Sequence, residues 1–377
     1  MSIQIRRVEP GSKRVRDFIA VAHRIYKGDP NWIAPLDFEF TDRLNPKKNP
    51  FFEHAEVALF LAERDGDVVG RVSASIDHEH QKRYGDAAGF FGFIDTVEDP
   101  AVCTALLDAA SAWLRERGMK TIRGPLSLCI NEESGLLVEG FDTPPYMMMP
   151  HHRPYQGRLV EAAGFVKLKD LFAWNYNIGE VSTRARKAHA EMMKEPNLRI
   201  RPVEWKHMER DVNLIVDIFN DAWQHNWGFV PATQSEIRKM AQDFRMILEP
   251  QIALIAEIDG EAAGVSIGLP NLNEVARDLD GKVFPLGFAK ILWRLKVAKP
   301  KTGRLMILGV RSKFRNQRKW APLSIALYVE MNMRAAKLGM KQSELSWTLE
   351  DNGAVNAGIK MMGGKLSKRY RIYEKTL

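Results

Sequence analysis

The stretch LMILGVRSKFRNQRKWAPLSIALYVEMNMRAAKLG, residues 305–339, contains an apolar run, a basic turn and a periodic apolar helix in that order. The apolar run ends at Val310, and the helical pattern ends at Gly339, which suits a helix C-cap. A strand-to-helix turn directs unpaired backbone N–H groups at one point, beside the positive end of the helix dipole. The turn therefore predicts a polyanion site; the alternative is a basic turn that only faces solvent. Its cations are Arg311, Lys313, Arg315, Arg318 and Lys319.

The chain carries marks of an internal duplication. IRRVE at 5–9 returns as IRPVE at 200–204, and AERDGDVVG at 62–70 returns as AEIDGEAAG at 256–264. Five such marks recur in one order, at spacings from 194 to 221 residues. A period of this length is too long for a solenoid repeat and matches a domain. We predict two homologous halves, 1–178 and 198–377, joined by a linker helix within 179–197.

Each half has the same predicted order of elements, β-α-β-β-β-α-β-α-β. Asp65-Gly66 and Asp259-Gly260 lie between apolar runs, which is the strongest short signal for a β-hairpin. The second half carries about 27 extra residues between its hairpin and its last helices. That insertion is where we expect the two halves to differ in function.

Composition narrows the classes of protein and partner. The chain has 377 residues, 45% of them hydrophobic, and only two cysteines, so neither a disulfide framework nor a zinc site is expected. We find no signal-peptide pattern and no apolar run of about 18 residues, which favours a cytoplasmic location. The formal charge of +8 suits a polyanionic cofactor or anionic lipid. Nothing resembles an RNP run or a zinc finger, so we expect no nucleic-acid partner.

The order of elements and the basic turn resemble the GNAT superfamily of acyl-CoA N-acyltransferases. Val310 ends the strand as in that superfamily, Phe314-Arg315 follows, residues 316–321 take the place of its cofactor loop, and Asn352 stands where an asparagine opens the last helix. The resemblance implies an α/β fold with a mixed sheet, in two tandem GNAT-like domains. It also implies acyl-CoA as co-substrate, without a metal. The residues it places at the cofactor are Leu308, Gly309, Val310, Arg315, Gln317, Arg318, Lys319, Trp320, Ala321 and Asn352.

Two departures from the superfamily pattern bear on the cofactor. Arg318 and Trp320 stand where glycines are common, so their side chains are expected to narrow the diphosphate site or to contact it directly. The first half offers Glu98 and Asp99 where the loop would need cations. We therefore expect the first half to be a degenerate copy and CoA to bind only to the second.

The runs NWGFVPAT, SELSWTLEDN and KLKDLFAWNY resemble a narrower bacterial family of tandem GNAT-like proteins that is related to bacterial ceramide synthases. That resemblance implies transfer of a long acyl chain to the amine of a lipid or sphingoid base. One alternative is acetylation of a small polar amine or a peptide with acetyl-CoA. Another is a protein that binds CoA without catalysis.

Catalysis requires a group that accepts the proton of the attacking amine. The tyrosine that usually serves as acid in GNAT proteins is replaced by Ile359. Glu344, between apolar neighbours in a predicted strand, is the first candidate base, and the alternative is a glutamate in a salt bridge. His152 is the second, and the alternative is a loop histidine without a catalytic role.

Aromatic residues predict the acceptor site. Trp223, Asn226, Trp227 and Phe229 follow the first helix of the second half, a segment that lines the acceptor site in GNAT proteins. An aromatic lining suits an apolar acceptor, although core packing is the alternative. Tyr155, close to His152 in the sequence, is the remaining candidate contact.

The segment 284–301, FPLGFAKILWRLKVAKPK, belongs to the insertion. Phe288, Ile291, Leu292 and Leu295 share one face of a helix, and lysines flank that face. The pattern is typical of a helix at a membrane surface, and we expect peripheral binding to the cytoplasmic membrane. The alternative is that the apolar face packs on the protein's own core.

Overall fold

The computed structural model describes residues 2–377, which form two compact units. The first contains the chain up to Leu171 together with 276–287 and 368–377; the second contains 172–275 and 288–367. The boundaries of these compact units differ from those of the two halves predicted from the sequence repeat. The last ten residues belong to the first unit, and Phe172 already belongs to the second.

The strands are numbered in chain order. They are β1 (Gln4–Val8), β2 (Ala55–Arg64), β3 (Asp67–Asp77), β4 (Ala88–Thr96), β5 (Thr121–Gly124), β6 (Leu126–Ser127), β7 (Glu133–Ser134), β8 (Leu136–Glu139), β9 (Val166–Asn177), β10 (Leu198–Pro202), β11 (Ala253–Ile258), β12 (Glu261–Pro270), β13 (Thr302–Val310), β14 (Gln342–Leu349) and β15 (Lys365–Thr376).

The α-helices are numbered in the same way, and a π-helical turn, Arg294–Ala298, follows the tenth. They are α1 (Val15–Ile25), α2 (Asp37–Arg43), α3 (His78–Tyr84), α4 (Pro100–Arg115), α5 (Gln156–Ala162), α6 (Thr183–Met192), α7 (Met208–Trp223), α8 (Gln234–Phe244), α9 (Leu272–Ala276), α10 (Gly287–Trp293), α11 (Ser312–Arg315), α12 (Leu323–Lys337) and α13 (Gly353–Met361).

The sheet of the first unit has the order β1-β2-β3-β4-β5-β15. Its strands are antiparallel except for β4 and β5, and the chain terminus completes it through the pair Tyr373–Gly124. Helices cover both faces: α4 packs with Tyr373 and Ile122 in one apolar cluster, while α1 contributes Phe18 to another. Residues 368–377, which form most of β15, are therefore part of this unit and contribute Tyr373 to its core.

The second unit repeats this arrangement with the order β9-β14-β13-β12-β11-β10. β13 and β14 are parallel, whereas the pairs β10–β11, β11–β12 and β12–β13 are antiparallel. Helix α12 packs on one face through Leu323 and Leu327, and α7 packs on the other through Ile218. The mixed α/β fold predicted from the sequence is confirmed.

Local signals also agree with the structure. Asp65 and Gly66, like Asp259 and Gly260, have positive φ angles, as a two-residue type I′ hairpin requires. The helix predicted within 179–197 is α6, whose buried Ala185 and Met192 pack in the clusters formed with α12. Helix α8 was not expected, and its Thr233–Glu236 capping box is the signal that reveals it.

We predict that Ile372→Ala lowers the free energy of unfolding by about 2–5 kcal/mol, because a fully buried side chain leaves a cavity. Leu366→Ala is the matched control, since it removes an exposed aliphatic side chain from the same strand and should cost no more than about 0.5 kcal/mol. Urea denaturation of the two variants checks the difference. Equal losses would contradict a core role for β15.

Candidate functional site

The centre of the second unit is an opening between two parallel strands. β13 and β14 pair from Thr302–Gln342 to Leu305–Leu345, and their later residues do not pair with each other. An irregularity in the pairing of β12 with β13 at Ile267–Gly268 accompanies the divergence. Residues 305–308 are half-buried in the middle of the sheet as a result. A slot of this kind exposes strand backbone to a ligand.

The turn after β13 follows the slot. Asp221 at the end of α7 accepts hydrogen bonds from the backbone N–H (2.5 Å) and the hydroxyl (2.8 Å) of Ser312, which fixes the start of the turn. Arg311 donates to the Ala262 carbonyl oxygen, and Gln317 donates to that of Lys313. These contacts hold the basic turn in one conformation.

Ion pairing divides the cations of the turn into two groups. Lys313 pairs with Glu261 at 2.5 Å, and Lys319 pairs with Glu195 at 2.7 Å. Arg315 and Arg318 are exposed and form no ion pair within residues 2–377. Two guanidinium groups therefore remain available for an anionic ligand.

The helix after the turn begins without a side-chain cap. Pro322 precedes α12, and no side chain accepts a hydrogen bond from its first N–H groups. Trp320, which replaces a glycine of the superfamily pattern, is buried in the cluster beneath α12 with Leu323. The expectation that its side chain narrows the turn is therefore wrong, because the indole packs inward. The uncapped N-terminus and its dipole favour an anion at this point.

The corresponding region of the first unit is closed. Asp99 caps α4 by accepting from the N–H of Ala101, and Arg64 pairs with Asp99 at 2.5 Å. All nine residues of β4 are buried. The carbonyl oxygen of Leu126 would lie only 2.0 Å from a Cβ at Gly92, so the chain itself fills the space beside that strand.

The predicted aromatic residues lie next to the slot. Trp223 packs on Gly309, where an added Cβ would be 2.4 Å from the indole ring. Phe219 contacts both Trp223 and Phe229, with ring centroids 4.8 and 5.5 Å apart. Phe229 is buried, while Asn226 and Trp227 are half-buried in the segment that follows Trp223. The structure thus brings this group together with the end of β13.

Glu344 lies in a buried polar cluster on the same face of the sheet as Trp223. Leu305 and Leu345 pack toward α12, so their neighbours Arg304 and Glu344 point to the opposite face. The Ser346 hydroxyl donates to Glu344 Oε1 (2.6 Å) and accepts from Arg304 Nε (2.8 Å). Arg304 and Ser346 were not predicted; the available signal was the arginine directly before the apolar run 305–310.

Asn352 and Ile359, at the start and near the end of α13, both make contacts that stabilise the fold. Asn352 caps α13 by accepting from the N–H of Val355. Ile359 is buried among Tyr328, Leu345 and Met362, so an apolar core contact occupies the place of the usual acid.

His152 and Tyr155 belong to the first unit. His152 is buried, and its Nδ1 accepts from the N–H of Leu137 at 3.1 Å. Burial lowers the pKa of His152 to about 4. The Tyr155 hydroxyl donates to the Thr96 carbonyl oxygen at 2.8 Å, and burial raises its pKa to about 12. The acceptor nitrogen of His152 is already engaged, which suits a structural role better than a general base.

The fold and the slot define a class of protein. Over its full length the chain is similar to a tandem GNAT protein from the clavulanic acid biosynthesis pathway, with a TM-score of 0.57, 11% identity and 98% of that chain covered. It is also similar to a GCN5-related N-acetyltransferase from Sphaerobacter thermophilus, with a TM-score of 0.54, 14% identity, and 99% and 95% of the two chains covered. The chain has the tandem GNAT fold.

Sequence relatives give the family, although no family model matches. The chain is 43% identical to the bacterial ceramide synthase of Caulobacter vibrioides over 365 residues, 96% of this chain and 95% of that protein. It is 40% identical to protein YghO of Escherichia coli, covering 96% and 93% of the two chains. The chain therefore belongs to the family of the Caulobacter ceramide synthase. It is an acyltransferase, as predicted from the sequence.

We predict that His152 makes stability depend on pH. Its pKa is about 4 in the folded protein and about 6.5 when unfolded, so the unfolded state binds the extra proton between these values. Stability therefore falls as pH falls through this window, by about 3 kcal/mol from this group. His152→Asn, whose side-chain oxygen can accept from Leu137, should flatten the pH dependence of urea unfolding between pH 4 and 6.5.

The control is His225→Asn, which changes an exposed histidine and should leave the slope as it is in the unmodified protein. An unchanged slope in the His152 variant would contradict the buried, neutral imidazole.

Proposed function

We propose that the protein transfers an acyl group from acyl-CoA to the primary amine of a long-chain lipid such as a sphingoid base. The observation that carries the proposal is the slot beside residues 305–308, which leads into a turn with unpaired Arg315 and Arg318 and an uncapped helix. GNAT folds use acyl-CoA as co-substrate, and the Caulobacter relative is a ceramide synthase, which supports a sphingoid amine as the acceptor.

In this proposal the acyl-CoA lies along the free side of β13. The backbone of residues 308–310 holds the thioester and its oxyanion, as a strand with unpaired N–H groups can. The diphosphate binds at the turn, to the side chains of Arg315, Gln317 and Arg318 and to the N–H group of Lys319. The N–H groups of Trp320 and Ala321 already donate to the Gln317 carbonyl oxygen. Guanidinium groups suit phosphate because their planar donors bind two oxygens at once.

The amine approaches from the face of the sheet that carries Trp223 and Glu344. Attack of the neutral amine on the thioester carbon forms the C–N bond, and loss of the thiolate breaks the C–S bond. Glu344 takes the proton of the amine through the hydroxyl of Ser346, which already donates to it. Trp223, Phe229 and the half-buried Trp227 give the acceptor an apolar wall.

We predict that Arg315→Glu with Arg318→Glu abolishes CoA binding measured by isothermal titration calorimetry, because two attractive contacts to phosphate become repulsive. Lys187→Glu with Lys206→Glu is the matched control: it makes the same change in charge at exposed positions of the same unit. The control should bind like the unmodified protein. Equal affinity in all three proteins would remove the turn from the cofactor site.

The activity itself is tested by release of free thiol from a long-chain acyl-CoA. We expect release with a sphingoid base as acceptor and little with a short polar amine. Glu344→Gln should lower kcat by about a hundredfold or more, as loss of a general base does. Glu209→Gln, on the exposed side of α7, is the control.

If Glu344 has only a structural role, Glu344→Gln lowers the melting temperature but leaves the pH profile of kcat/KM unchanged. If Glu344 is the base, the same change removes the acidic limb of that profile. Release with the polar amine but not with the sphingoid base would favour the small-amine N-acetyltransferase instead. No release with either would favour CoA binding without catalysis.

A further inference from the structure

Exposed apolar side chains are concentrated in one short stretch of the chain. Of the fifteen large apolar side chains that are exposed within residues 2–377, five lie between positions 284 and 297. They include Phe284 (86% exposed), Val297 (65%) and Trp293 (58%). The others are Leu286 and Phe288. Scattered exposed apolar residues are ordinary, but a cluster of this density indicates a binding surface.

The direction of these side chains follows from the helix. Ile291 and Leu295 are buried in the protein, so the face predicted from the sequence packs inward at those two positions. Trp293 and Val297 are four residues apart and project from the other side of α10 and its π-helical continuation. Phe288, at the first turn of α10, is 45% exposed as well. Phe288, Trp293 and Val297 are thus the exposed large apolar side chains that this segment contributes to the second unit, and we call them the outer apolar face.

Charge gives the chemistry of the partner. Residues 281–301 contain six cations and no acidic residue. Lys296 and Lys299 are exposed, and Lys290 lies on the exposed part of α10. Tryptophan and lysine beside apolar side chains are typical of a segment that lies in the headgroup region of a bilayer. Anionic headgroups are complementary to the cations.

We propose that the outer apolar face docks the protein on the surface of a bilayer that contains anionic lipid. None of the helices formed by residues 2–377 is long and apolar enough to span a membrane, so docking would be at the surface. Arg294 and Glu274 tie the segment to its surroundings: Arg294 donates to the Val275 carbonyl oxygen, and Glu274 accepts from the N–H of Thr302. The segment is therefore held at the start of β13.

The docking is independent of the proposed chemistry, but it would serve it. A long-chain amine is held in a bilayer by its hydrocarbon tail, and β13 carries the proposed acyl-CoA slot. Docking beside the first residue of that strand keeps the path from the bilayer to the slot short. This last step rests on the proposed function; the docking itself does not.

The test is co-sedimentation of the full chain with two kinds of liposome: phosphatidylcholine alone, and phosphatidylcholine with about one third phosphatidylglycerol, an anionic lipid. We expect binding to the anionic liposomes, weaker binding at higher salt, and at least a fivefold loss for Phe288→Ser with Trp293→Ser and Val297→Ser. The matched control replaces Val166, Trp205 and Met246, which are exposed apolar residues elsewhere, by serine. It should bind like the unmodified protein.

Two results would overturn the proposal. One is equal sedimentation of the two triple variants and the unmodified protein. The other is that the unmodified protein and the control variant are dimers in lipid-free solution, while the Phe288, Trp293 and Val297 variant is a monomer. The outer apolar face would then bind a second copy of the chain. Circular dichroism verifies folding, and acylation of a sphingoid base supplied in detergent micelles, without liposomes, separates a loss of docking from a loss of chemistry.

Discussion

The place where β13 and β14 separate is the constraint on which the proposed chemistry depends. A backbone N–H or C=O in the middle of a sheet normally finds its partner on the neighbouring strand, and an unpaired one is costly. After Leu305 and Leu345 the neighbour is no longer in register, yet residues 306–308 remain half-buried. A ligand with an extended amide chain can supply the missing partners. The opening thus explains both the exposure of the strand and its value as a binding site.

The two units show how the same arrangement can be opened or closed by a few residues. In the first, an aspartate caps the helix after the central strand, and an arginine neutralises that aspartate. In the second, Pro322 is the residue before the corresponding helix, and its side chain cannot accept a capping hydrogen bond. The chain at Leu126 fills the space beside Gly92 in the first unit. An anion is therefore favoured at one helix N-terminus and opposed at the other.

The elements that could be predicted from the sequence are those that depend on neighbouring residues in the chain. The Asp-Gly hairpins, the helix before Gly339 and the strand that ends at Val310 depend on neighbouring residues, and these elements were predicted from them. Alternation along a strand also indicates that Glu344 faces away from Leu345. It does not reveal that the Ser346 hydroxyl links Glu344 to Arg304, because the contact with Arg304 is set by the register between two strands. The inward direction of Trp320 and the place of residues 368–377 in the first unit likewise depend on distant packing.

Ion pairing separates the cations that hold the basic turn from those that can bind a ligand. A lysine beside a carboxylate, such as Lys313 at Glu261, already has its charge compensated, and a phosphate would have to compete with that carboxylate. Lys319 has the same relation to Glu195 and also lies over the ring of Trp320. Arg315 and Arg318 are not compensated in this way within residues 2–377, and each presents several donors in one plane. The sequence alone grouped all of these cations together; the ion pairs of the two lysines are the reason why we propose the arginines as the diphosphate ligands.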